Sequence, residues 1–188
     1  PQVAVGFLSR CLASSARELS VNKVANELKS RGVSTSRETL ASLLAYYEEA
    51  YLVFSLGDLN RALADNPRSS SKVYAVDPGM FTAFSRAASK EEGQRLETAV
   101  FNKLRRTAPT ARAGSLARLT FLHGSASHEV DFVAGDTLLG DVYRLIQVSV
   151  DLANPKTRKR EVSALEAAME KCGIDEATIV TMASEETI

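Results

Sequence analysis

The chain has 188 residues, 45% of them hydrophobic, which is enough to bury a sizeable core and too apolar for a disordered or fibrous protein. Its 23 basic and 23 acidic residues cancel, so any pull toward nucleic acid or an anionic surface must come from a local patch. No apolar run approaches the ~20 residues of a membrane span and no secretory pattern opens the chain; with Cys11 and Cys172 read as free thiols, the expectation is a cytoplasmic protein without a membrane partner.

Val3, Phe7, Leu8, Cys11 and Leu12 have helical spacing, and Ser14-Ser15 breaks the pattern. A second helix is predicted from the N-cap Ser20 to Gly32, and a third from Thr35 or Ser36, with Thr35 and Glu38 at capping-box spacing and Leu40, Leu43, Leu44 and Tyr47 as its apolar stripe. The tight turn between them makes a helix-turn-helix. Two strand-like runs follow, Tyr51–Leu56 and Lys72–Val76, resembling the two-stranded wing of a winged helix. In a DNA-binding version, the outward face of the third helix (Ser36, Arg37, Ala41, Ser42) enters the major groove, and Arg61, Arg68 and Lys72 on the wing meet phosphates. Glu48 and Glu49 end that same helix, and the alternative is a packing or protein-interaction module.

The turn Asp77-Pro78-Gly79 places the expected boundary between a winged helix-turn-helix domain at 1–79 and a second domain at 80–188. A short helix (Met80–Ala88) and a polar connection lead to a helix from Gln94 to Arg106, with Leu96, Val100, Phe101 and Leu104 on one face and Glu97 beside them. Strands are expected at Arg118–Leu122, Glu129–Val133 and Tyr143–Val150, the last two as a hairpin around Gly135 and Gly140. A helix from Lys156 to Lys171, burying Val162, Leu165, Ala168 and Met169, ends at Gly173. The final run, Ala177–Met182, is apolar and β-branched in the manner of an interior parallel strand. The fold class is therefore α/β (α+β overall), with an αβββαβ second domain around a mixed sheet, the order of restriction-endonuclease-like domains.

Residues two apart in a strand share a face, so Glu129 and Asp131 project together, as do Gln147 and Ser149 on the neighbouring strand. A PD-(D/E)XK nuclease carries its Asp and its (D/E)-x-K on such a hairpin; here Gln147 replaces the second acid and Ser149 the Lys. Clustered carboxylates hold Mg²⁺ or Mn²⁺, and Glu97, Glu129 and Asp131 are the candidate metal ligands. Glu97, Asp131 and Gln147 form the candidate catalytic set, and loss of the general base typically costs ~10² to 10⁴ in rate. His123 and His128 flank a turn, where a ligand role for His128 competes with a plain surface role.

Together these segments resemble the C-terminal region of a prokaryotic family of AAA+-type ATPases, in which an ATP-binding core is followed by a winged helix and a PD-(D/E)XK-like domain of unknown function. The resemblance rests on Lys72–Gly79, Leu96–Phe101, Glu129–Val133, Leu145–Ser149, Arg160–Leu165 and the last strand, with Thr98 standing where the family usually has Asn. It implies an ATPase core in cis, and the opening on Pro1 rather than Met fits a piece of a longer protein. No Gly-x-x-x-x-Gly-Lys-Ser/Thr loop occurs, so ATP is expected only in a preceding domain.

Basic residues gather at Lys103, Arg105, Arg106, Arg112 and Arg118, and again at Lys156, Arg158, Lys159 and Arg160. A phosphate-binding groove using Arg105, Arg106, Arg158 and Arg160 is one reading; a solvated face paired with Glu97, Glu161 and Glu166 is the other. The functional expectation is a nucleic-acid- or partner-binding module with a degenerate nuclease-like site. An active metal-dependent DNA endonuclease and a non-catalytic adaptor for a protein partner are the alternatives.

Overall fold

A computed structural model describes residues 2–59, 71–84, 91–107, 115–136, 139–182 and 185–187. The fold is mixed α+β, with helices set against a small antiparallel sheet and a larger mixed one. Two compact units divide the chain, Pro1–Leu56 with Arg68–Thr98 and Gly57–Pro67 with Ala99–Ile188.

The first unit holds α1 (Gln2–Ala13), β1 (Arg17–Leu19), α2 (Val21–Ser30), α3 (Arg37–Glu49), β2 (Val53–Leu56), β3 (Ser71–Ala75) and α4 (Pro78–Phe84). Ser20 caps α2 by accepting the Lys23 N–H, and Ser36, rather than Thr35, caps α3 by accepting the Thr39 N–H at 3.1 Å. The three-residue β1 is absent from the sequence expectation, which passes from the Ser14-Ser15 break directly to Ser20. It pairs antiparallel with β3, giving the order β1-β3-β2. Phe7, Cys11, Leu12, Leu40, Val53 and Val73 make the centre of this unit's core.

In the second unit, β4 (Leu116–His123), β5 (Ala126–Asp136), β6 (Asp141–Val148), β7 (Thr178–Val180) and β8 (Glu185–Thr187) form one five-stranded sheet in sequence order. The β4-β5-β6 meander is antiparallel, β7 lies parallel to β6 in the interior as its composition anticipates, and β8 adds an antiparallel edge. A register shift between Ala134 and Gly135 bends the β5/β6 hairpin, and a β-carbon on Gly135 would meet the Asp141 carbonyl oxygen at 2.0 Å. Only glycine permits that approach.

Helix α5 (Glu92–Thr107) crosses the division between the units at Thr98/Ala99. Its Phe101 packs on Phe132 of β5, with ring centroids 6.1 Å apart. Helix α6 (Pro155–Cys172) starts under the Asn154 cap and closes on Gly173 at φ 67°. Its buried residues are Glu161, Ala164, Leu165, Ala167 and Ala168, while Val162 and Met169 lie at the core margin. The buried stripe is thus rotated from the one read in the sequence, and it brings a glutamate inward.

Candidate functional site

The ladder between β5 and β6 ends at Phe132↔Ile146. One residue further, β5 continues beside β4 through Val130 and β6 continues beside β7 through Gln147 and Val148, so the two strands part. Side chains take over the hydrogen bonds that the ladder gives up. Asp131 N–H donates to Gln147 Oε1 at 3.2 Å, and Val148 N–H donates to Asp131 Oδ2 at 3.0 Å. Two residues expected on one sheet face are thereby brought together at a fork between strands.

A third residue completes the cluster. Gln147 Nε2 donates to Glu161 Oε2 at 2.8 Å, and the other oxygen of Glu161 accepts from the Arg160 guanidinium. Asp131, Gln147 and Glu161 are only 7%, 7% and 5% exposed, whereas most of the Arg160 side chain faces solvent. The hydrogen bond and charge of Glu161 raise the Arg160 pKa, with Asp131 adding to the effect, so this cation stays charged at any working pH. The amide of Gln147 can serve both neighbours because it carries a donor and an acceptor; a carboxylate there would face Glu161 with like charge.

Sequence reasoning placed Glu161 only as a counter-charge on a solvated face. Glu161, Ala164, Leu165 and Ala168 fall at i, i+3, i+4 and i+7, the spacing of a single helix face, and that is the signal that could have found it.

The remaining expected site residues have other partners. Glu97 accepts from Lys72 Nζ at 3.0 Å and from the Tyr74 hydroxyl at 2.8 Å, all within the first unit. Lys72, expected on a wing facing phosphate, is instead buried in this ion pair because Glu97 supplies the counter-charge. Next to it, Thr98 donates to Gln94 C=O at 2.6 Å, so the Ser15 hydroxyl donates to Thr98 and accepts the Ala75 N–H.

Glu129 shares a strand with Asp131, but its carboxylate lies 3.5 Å from Arg118 Nη1. Arg118 itself is 2% exposed, with its Nε 3.9 Å from the carboxylate of Asp58, and so is no surface contact for phosphate. The donor set does not fit a hard divalent cation, which takes clustered oxygen ligands. Glu129 is on a guanidinium, Glu97 on an ammonium, and an amide stands between Asp131 and Glu161. Among the described residues no group of three or more His, Cys, Asp or Glu is arranged to hold a metal ion.

Of the expected phosphate contacts, Arg37, Arg106, Arg158 and Arg160 are exposed and Arg105 is half-buried; Arg61, Arg68 and Arg112 lie outside the described residues. A cleft of about 430 Å³ runs beneath the second half of α5, with Leu104, Ile146 and Val180 among its apolar lining and Lys103 and Arg144 as its cations. The His128 ring stacks on Phe121 at 5.5 Å and meets His123 edge-on at 6.2 Å. Among the described residues no helix is long and apolar enough to cross a membrane.

Residues 4–91 match the model of a family described as a domain of unknown function, DUF8612. The chain is 35% identical over 160 residues to the Uncharacterized protein MJ1544 of Methanocaldococcus jannaschii, an alignment that covers 85% of this chain and 33% of the relative. The chain thus spans about a third of the length of the curated relative it matches. No solved structure matches it.

Proposed function

We propose that this chain is a nucleic-acid-binding module of a larger prokaryotic ATPase, in which a winged-helix unit is followed by a nuclease-like unit that holds its substrate class without cutting it. The observation that carries this reading is the Asp131-Gln147-Glu161 chain. It occupies the fork where a PD-(D/E)XK site would gather its acids, yet its centre is an amide hydrogen-bonded on both sides. Ser149, at the position of the expected Lys, donates its hydroxyl to Asp151 C=O and offers no cation to orient an attacking water.

The αβββαβ order of the second unit, with β7 parallel to β6, supports the restriction-endonuclease-like assignment. The α2-turn-α3 pair with the β1-β3-β2 sheet supports the winged helix. The length of the archaeal relative beyond this chain leaves room for an ATPase core in cis. Exposed cations at Arg106, Arg158, Lys159 and Arg160 supply charge for a phosphate backbone without reading bases.

The test is a gel shift of labelled single- and double-stranded DNA in EDTA at two salt concentrations, run beside a Mn²⁺ cleavage assay with Asp131→Asn as control. A salt-sensitive shift without cleavage is expected, weakened when Arg105 and Arg106 or Arg158 and Arg160 become Ala. Cleavage that disappears in Asp131→Asn would replace this reading with an active endonuclease. Neither shift nor cleavage would leave a protein adaptor.

A further inference from the structure

The two faces of the second sheet carry different chemistry. Along β6, Gln147 meets Glu161 of α6, whereas its neighbour Ile146 pairs with Phe132 of β5, whose ring packs on Phe101 of α5. Helix α5 therefore covers the face that α6 leaves. Beside Phe101, the residues Val100, Lys103, Leu104 and Thr107 form one stripe of α5 at i, i+3, i+4 and i+7. This stripe and the same-face residues Arg144 and Ile146 of β6 and Val180 of β7 enclose the cleft of about 430 Å³.

A second hollow of about 330 Å³ shares Leu104, Thr107 and Arg144 with the first and runs on past Ala134 and Gly135. Small residues leave this room, since Arg144 stands opposite Ala134 in the ladder and Gly135 follows it. Every described residue lining either hollow belongs to the second unit. Both volumes fall in the range of small-molecule sites, about 300 to 1,000 Å³.

The charge in this cleft has one sign. Lys103 and Arg144 both line it, and among the described residues neither forms an ion pair and no carboxylate lines either hollow. Glu97, less than two turns back on α5, is held by Lys72. The walls beneath the two cations are aliphatic, from Val100, Leu104, Ile146 and Val180. A nucleobase would set its hydrogen-bonding edges against carbon there, at the cost of desolvating them, and no aromatic ring lines the larger hollow to stack on it. We infer that the cleft under α5 binds a small amphipathic anion, an aliphatic chain with a carboxylate or phosphate head. The chain lies along Leu104, Ile146 and Val180, and the head meets the Lys103 ammonium and the Arg144 guanidinium. This site stands apart from the nucleic-acid reading, whose cations Arg158, Lys159 and Arg160 are on α6, and either can fail without the other.

The probes are decanoate, decyl phosphate, decanol and decyltrimethylammonium, which share one chain and differ in the head, together with a short thymidine strand. Each is titrated below its micelle concentration into the 188-residue chain while backbone amide signals are followed by ¹H-¹⁵N NMR. An anionic probe is expected to saturate one site, shifting the Ile146, Thr178 and Val180 amides and leaving Ala164 and Ala168 of α6 in place. The tighter of decanoate and decyl phosphate assigns the head group. Decanol and the ammonium probe are expected to bind at least tenfold more weakly, as the loss of a charge-assisted contact costs about a factor of ten or more. Lys103→Gln combined with Arg144→Gln, both at exposed positions, should weaken the anion roughly tenfold and leave decanol unchanged. Equal affinity for all four heads, or wild-type affinity for the anion in the double variant, would overturn the proposal. Thymidine shifting these amides where neither anionic probe does would overturn it too and give the cleft to nucleic acid.

Discussion

Gln147 donates its side-chain amide to Glu161 Oε2 at 2.8 Å, from the end of β6 to the second turn of α6. The bond closes the fork between β5 and β6 from the helix side, and the other end of the same amide accepts the Asp131 N–H. One neutral side chain thus satisfies groups on a strand and on a helix in a site where all three residues are buried.

Replacing Gln147 by Leu keeps its bulk but removes both bonds, at about 1 to 3 kcal/mol for each buried polar partner left unsatisfied. Gln147→Glu restores the acid of the nuclease pattern and sets a third carboxylate beside Asp131 and Glu161. Burial and like charge would raise the folded-state pKa of the new group above its unfolded value, so its stability term is present at low pH and lost as pH rises. Thermal melts of Gln147→Glu should therefore approach wild type near pH 4 and fall behind it at pH 8, with Mn²⁺ recovering part of the loss. An unchanged melt at pH 8 would show that the cluster is open to solvent.

The buried ion pair of the first unit gives a second test. Lys72 and Glu97 are both largely withdrawn from water, with Tyr74 as an added donor to the carboxylate. Glu97→Gln removes the carboxylate that Lys72 Nζ and the Tyr74 hydroxyl both meet and should cost about 3 to 5 kcal/mol in urea denaturation, as removal of one partner of a buried pair does. Lys72→Met combined with Glu97→Leu removes both charges and should recover most of that loss. A double variant no better than the single one would mean the pair is not acting as a unit.

The elements with local signals were legible in the sequence: the Ser20 cap, the Gly173 terminator, the alternation of β5 and β6, and the β-branched interior strand β7. The features missed are those created by residues far apart in the chain. Strand β1 exists through its pairing with β3, more than fifty residues later, and three residues carry too little pattern to announce it. Arg118 reads as a surface cation until Asp58 and Glu129 are brought beside it. Glu161 reads as a solvated helix acid because an isolated glutamate usually is one; its spacing to Ala164, Leu165 and Ala168 marks the inward face, but the Gln147 amide that meets it there comes from a distant strand. At the candidate site, the Asp131/Gln147 neighbourhood followed from strand register, whereas the helix contribution depended on how α6 is rotated against the sheet.

Gly135 offers a test of the hairpin that positions Asp131 and Gln147. A β-carbon there would stand 2.0 Å from the Asp141 carbonyl oxygen, and the neighbour is main chain that cannot rotate away. Gly135→Ala should cost about 1 to 3 kcal/mol in equilibrium unfolding, in the range of an overpacked site. Hydrogen exchange should show the loss concentrated in the β5/β6 amides; uniform protection equal to wild type would show that the bulge relaxes freely.

Cys11 provides the alkaline limit of stability. It is fully buried in the first core, and burial pushes its thiol up to about 12 from an ordinary value of 9.0. The neutral thiol is the form the fold accepts, so its contribution is complete below pH 9.0 and is lost as pH rises toward 12. Wild-type unfolding free energy should fall across that window by up to about 4 kcal/mol more than in Cys11→Ala, which has no proton to lose there. Cys11→Ala itself should be less stable at neutral pH through the small cavity it leaves. Iodoacetamide supplies an independent readout at pH 8: Cys172, half-buried, should be alkylated in the native protein, while Cys11 should react only on unfolding. Native-state labelling of Cys11 at the rate of Cys172, with parallel alkaline profiles for wild type and Cys11→Ala, would show that the first core admits solvent at α1.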